Sequence, residues 1–97
     1  MKAFELIAKE ENWCKGAFAK DKEGNNVPIT SPNAFKFCML GAINKCYPVE
    51  AYSNRVRHVE EIIAEKYPNK FRHMMSFNDD GATLHEMAID VLKTADV

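Results

Sequence analysis

The chain has 97 residues, 46% of them hydrophobic and 28% charged, with 13 lysines and arginines against 14 aspartates and glutamates. A domain of this length buries roughly 60–65% of its unfolded surface, which suffices for one core without metal or disulfide staples. The formal charge of −1 excludes a general electrostatic footprint for nucleic acid, and Glu60, Glu61 and Glu65 interleave with the basic group Arg55, Arg57, Lys66, Lys70 and Arg72.

Lys2 to Glu11 sets Phe4, Leu6, Ile7 and Ala8 among Lys and Glu, the pattern of a short amphipathic helix ending near Asn12. No segment reaches the roughly 20 apolar residues that span a bilayer, and the amino terminus lacks the long apolar run of a secretory signal. From Gly16 to Thr30 the character changes. Asp21-Lys22-Glu23-Gly24-Asn25-Asn26 is a turn-rich tract, and Val27-Pro28-Ile29-Thr30 after it reads as an ordered loop or a marginal hairpin, since Pro28 limits pairing to an edge.

Asn33 to Cys46 is predicted as the central helix. Its apolar and sulfur-bearing residues cover most of a helical wheel, where a surface helix keeps a polar half. Ser31 and Pro32 supply a start signal. Gly41 costs roughly 1 kcal/mol of helix propensity against alanine and makes sense if another backbone comes close. Tyr47-Pro48 ends the segment. Val49, Tyr52, Val56, Val59 and Ile63 then recur at helical spacing, predicting a helix from about Val49 to Lys66 with Asn54, Arg57, Glu61 and Glu65 on its solvated face. Phe71 to Phe77 reads as an irregular helical turn and Asn78-Asp79-Asp80-Gly81 as a tight turn. Thr83 and Glu86 fit a capping box ahead of a last helix carrying Leu84, Met87, Ala88, Val91, Leu92 and Ala95. The expected fold is mainly α, a compact four-helix single domain over residues 1–97.

Chemistry is weighed against packing at each candidate. Three cysteines without a Cys-x-x-Cys pair argue against a disulfide framework and suit a cytoplasmic protein. Cys38 is the obvious nucleophile, with His58, His73 or His85 as base, yet a catalytic thiolate needs exposure and Cys38 falls mid-helix in an apolar run. No cysteine or histidine pair has zinc spacing. The turn at Asn78 fails as a calcium loop, because Met87 stands where a carboxylate is needed. No metal or other cofactor is expected. Asn78 and Asp79, with Asp80, His85 and Glu86 nearby, offer an acid/base or ligand-binding group, against the simpler reading of turn and cap residues with His85 facing solvent. Trp13, Phe18 and the polar loop through Asp21 to Thr30 offer a recognition surface, against closure of the core by the indole.

The pieces Trp13-x-x-Gly16-x-x-Ala19-x-Asp21-x-x-Gly24, Ala34-x-x-x-Cys38-x-x-Gly41-Ala42 and Phe77-Asn78-Asp79 followed by Thr83-x-x-Glu86 and Ala95 run through nearly the whole chain. In these the sequence resembles a family of short, uncharacterised bacterial and phage proteins, a domain of unknown function. The resemblance implies a helical single domain and brings no established activity. The leading expectation is a non-enzymatic protein-interaction module, as a phage or mobile-element accessory factor acting on a host component. Self-association is a further expectation, through the apolar central helix and the Val49–Ile63 stripe. The alternative is a small enzyme or ligand-binding domain using the Trp13–Asp21 loop with Asn78, Asp79 and His85.

Overall fold

A computed structural model describes residues 1–97. Five α-helices and one two-stranded antiparallel sheet build it: α1 (Ala3–Leu6), β1 (Ala19–Lys20), β2 (Lys36–Phe37), α2 (Met39–Cys46), α3 (Val49–Lys66), α4 (Met74–Asp79) and α5 (His85–Thr94). The predicted first helix is shorter than expected. α1 covers one turn, and a separate 3-10 turn, Glu10–Asn12, leads into Trp13.

The largest difference lies in the predicted central helix. Residues 33 to 38 are not helical: Lys36 pairs with Lys20 and Phe37 with Ala19, and α2 begins only at Met39. The start signal at Ser31 is used otherwise. Its hydroxyl accepts the Asn33 amide in a local turn, which competes with helix for the same donor. The apolar run from Ala34 to Cys46 therefore fills two environments, a strand and a helix, and its all-round hydrophobicity is not that of one buried cylinder.

α2 packs against α1, α3 and α4, while α5 lies across α1 and α3. Met39, Ala42, Ile43, Phe77, Val91 and Leu92 meet there with essentially no exposure. Gly41 is held against the backbone preceding β1: a Cβ at this position would stand 2.0 Å from the Phe18 carbonyl oxygen. The close approach expected of that glycine is present. α3 follows its predicted bounds, with Val59 and Ile63 buried and Asn54, Arg57, Glu61 and Glu65 exposed. Its first turn runs past the core, leaving Val49 84% exposed. Four helices were expected and five form, because the segment around Phe77 makes a regular six-residue helix, pinned where the His73 ring accepts the Ser76 amide.

Candidate functional site

Trp13, Asn78 and Asp79 come together although 65 positions separate the indole from Asn78, and Asn78 and Asp79 end helix α4 where a tight turn was expected. The Trp13 Nε1–H donates to Asn78 Oδ1 at 2.8 Å, and the Met39 amide donates to the same oxygen at 3.0 Å. The Asn78 Nδ2 group donates to the Cys14 carbonyl at 3.1 Å and to Asp79 Oδ1 at 2.9 Å. Asp79 Oδ1 also accepts the Gly16 amide at 3.0 Å, in a turn that Gly16 enters at φ +80°. Asn78 is fully buried and satisfied at both ends of its amide. It cross-links the Trp13 segment, the start of α2 and the end of α4 from inside, so its side chain does not face a ligand. Asp79 is exposed, with one oxygen committed to this network.

Cys38 is at the start of α2 and not in a helix interior. Its sulfur accepts the Gly41 amide at 3.2 Å as the helix cap and lies 3.9 Å from Met75 Sδ. A helix start ordinarily favours thiolate, yet burial dominates here and raises the Cys38 thiol, with the Gly41 and Leu40 amides acting the other way. Burial likewise pushes Cys14 up to about 11 and raises Cys46. None of the three has the electropositive, exposed setting of a nucleophile. No group of three His, Cys, Asp or Glu side chains is arranged to hold a metal ion.

His85 does not face solvent as expected. It is half-buried, its ring centroid is 5.8 Å from that of Trp13, and its Nε2 lies 2.7 Å from the Ile7 carbonyl. The short contact requires a proton on Nε2. The expected capping box is also absent. α5 starts at His85 with Leu84 in the cap position, where the Leu84 amide faces Met87 Sδ at 3.4 Å. Thr83 falls one residue too early to cap: it is 2% exposed and its hydroxyl has no hydrogen-bond partner. A buried hydroxyl left unpaired costs about 1–3 kcal/mol.

These departures surround one feature, an open cleft of about 520 Å³ between the 3-10 turn and the start of α5, walled by Trp13, Lys15, Thr83, Leu84, His85 and Glu86. The Lys15 ammonium is 5.3 Å from the Trp13 ring centroid and donates to the Asp80 and Thr83 carbonyls at 2.6 and 2.8 Å. Leu84 is 56% exposed on the rim. Phe18 and Asp21 lie elsewhere. Phe18 is 51% exposed beside a separate apolar groove with Val27, Pro28 and Ile29. Asp21 closes its own loop, Oδ1 accepting the Glu23 and Asn25 amides, and the Asn25 amide leads in holding its carboxyl below the usual range. Lys15 was not singled out in the sequence, and Thr83 and Leu84 were read there only as a cap and a helix residue. Lys15 sits two residues after Trp13, but no local pattern shows that its ammonium reaches carbonyls 65 and 68 positions away.

The model of a family of unknown function, DUF6197, matches residues 1–96. The chain belongs to DUF6197. Searches of the curated proteins and of the solved structures return no match. No helix of this DUF6197 member is long and apolar enough to cross a membrane.

Proposed function

We propose that this DUF6197 member is a small protein-interaction module whose contact face is the cleft between Trp13 and the start of α5. The observation that supports it is the exposed Leu84 beside the Trp13 and His85 rings, on a wall braced from behind by the Asn78 network. An aromatic anchor on a rigid support, with apolar surface at its rim, is the composition of interaction hot spots. Rigidity also lowers the ordering entropy lost on association. The cleft is open along one side, which suits a segment of another polypeptide laid across it.

Partner capture tests the reading, using the wild-type protein and Leu84→Asp as paired baits. Leu84 is exposed and its substitution leaves the Trp13–Asn78 contacts in place. A protein retained by the wild type and lost with Leu84→Asp supports the assignment. Equal retention by both baits overturns this contact face.

A further inference from the structure

We infer that Cys14, Cys38 and Met75 form a binding site for one soft monovalent cation, Cu(I), held by two thiolates and a thioether outside the Trp13 cleft. The Cys38 sulfur lies 3.9 Å from Met75 Sδ. Two sulfurs sharing one ion at about 2.3 Å in trigonal geometry stand about 4 Å apart, so this pair already has the spacing of ligands. The third sulfur follows from the backbone. Trp13 bridges Phe37 in parallel, and the Cys14 amide donates to the Phe37 carbonyl at 3.1 Å. In a parallel pairing the next residues along, Cys14 and Cys38, fall side by side with their side chains on one face. The Cys14 thiol donates to the Ala17 carbonyl at 3.6 Å, which turns it toward the loop that shares a depression with Met75.

That depression, about 240 Å³ and lined by Gly16, Ala17, Phe18, Met75 and Asp79, gives the ion a way in. The Asp79 carboxylate at its mouth draws a cation inward. Binding releases the two thiol protons to water and leaves an anionic centre, two thiolates against one cation. Two features of the fold suit that charge. The Cys38 sulfur accepts the Gly41 amide at the start of the eight-residue α2, and a thiolate accepts that bond more strongly than a thiol. Lys20 and Lys36 stand directly opposite in β1 and β2, a like-charge pair that a nearby anion relieves, and both oppose the effect of burial on the Cys14 thiol. Thiolate and thioether ligands select Cu(I) over harder divalent ions, and a structural zinc takes a fourth ligand that this group lacks. Ligands at positions 14, 38 and 75 leave no spacing motif in the sequence.

The test is an anaerobic titration of the reduced full chain, with Cu(I) as probe and bicinchoninate as the coloured competitor. One Cu(I) per chain is expected, with the ultraviolet absorption of Cu(I)–thiolate bonds and a raised melting temperature. Met75→Leu keeps the volume of the side chain and removes the sulfur, and is expected to weaken binding by about tenfold or more. Cys38→Ser retains an oxygen to accept the Gly41 amide, and Cys14→Ser is its counterpart on the neighbouring segment; each is expected to weaken binding by about a hundredfold or more. Cys46→Ser, at the far end of α2, is expected to bind as the wild type does. Undiminished affinity in Met75→Leu, a loss in Cys46→Ser equal to that in Cys38→Ser, or failure of the wild type to take Cu(I) from bicinchoninate overturns the site. Displacement of Cu(I) by an equal amount of Zn(II) also overturns it. Should either variant at Cys14 or Cys38 fail to fold, Met75→Leu against Cys46→Ser decides the question, since both leave Cys14 and Cys38 in place.

Discussion

The indole of Trp13 and the amide of Asn78 are joined by a 2.8 Å hydrogen bond, and that bond places the aromatic wall of the cleft. Replacing Asn78 with alanine strands the Trp13 Nε1–H, the Met39 amide and the Cys14 carbonyl in one step. With about 1–3 kcal/mol for each buried group left unpaired, and partial relaxation, a loss of roughly 3–5 kcal/mol is expected. Urea unfolding of Asn78→Ala checks it; a change of under about 1 kcal/mol would show that the network contributes little.

Gly41→Ala sets helix propensity against sterics. Alanine gains up to about 1 kcal/mol in a helix interior. Its Cβ, however, would lie 2.0 Å from the Phe18 carbonyl oxygen, and backbone has no rotamer to escape by. Overpacking of this kind costs about 1–3 kcal/mol or somewhat more, so the expected result is net destabilisation of roughly 2 kcal/mol. A melting temperature at or above wild type would contradict the close approach.

The thiols make stability fall at alkaline pH. Cys14 is raised from 9.0 to about 11 by burial, so between those values the unfolded chain releases a proton that the folded chain retains. Its contribution is complete below pH 9 and is lost as pH rises toward 11; Cys38 and Cys46 are raised in the same direction. Urea midpoints measured from pH 8 to pH 11 should decline, less steeply in Cys14→Ala relative to its own value at pH 8. At pH 8 the Cys14 thiolate population is about a hundredfold below that of an unperturbed thiol, so maleimide should modify it slowly in the native protein.

Asp21 carries the opposite sign. Hydrogen bonds from the Asn25 amide first, then its side chain and the Glu23 amide, lower the carboxyl pKa, so the loop contact is complete above the unfolded value of about 3.8. It is lost as pH falls through the lower folded value. Amide exchange at Glu23 and Asn25 should accelerate in Asp21→Ala at neutral pH, and protection in the two proteins should converge under acid conditions. Unchanged exchange in the variant would show that another group holds the turn.

α3 was legible because its buried stripe and its charged face both repeat with the helical period, so the pattern and the packing agree from Val49 to Lys66. The stretch before Met39 was not. Phe35 and Phe37 satisfy a helical wheel and an alternating strand equally, and the choice is made by Ala19 and Lys20, which pair with Phe37 and Lys36 from earlier in the chain. The same limit applies to the cleft. Trp13 and His85 carry their chemistry on their faces, but the positions of Lys15 and Thr83 follow from contacts with Asp80 and from a helix that starts one residue later than Thr83-x-x-Glu86 suggests. Asn78 and Asp79 read as turn residues locally, and only the tertiary fold gives Asn78 its buried partners.

The Asn78 amide reaches partners 39, 64 and 65 positions away through one small side chain. Closing loops of that length costs chain entropy before the bonds form, while the backbone ladders within α3 and α5 join residues four apart. The network is therefore expected to close late in folding. Interactions made after the folding barrier slow opening without hastening closure, so the lifetime of the native chain, more than its rate of formation, depends on this one carboxamide.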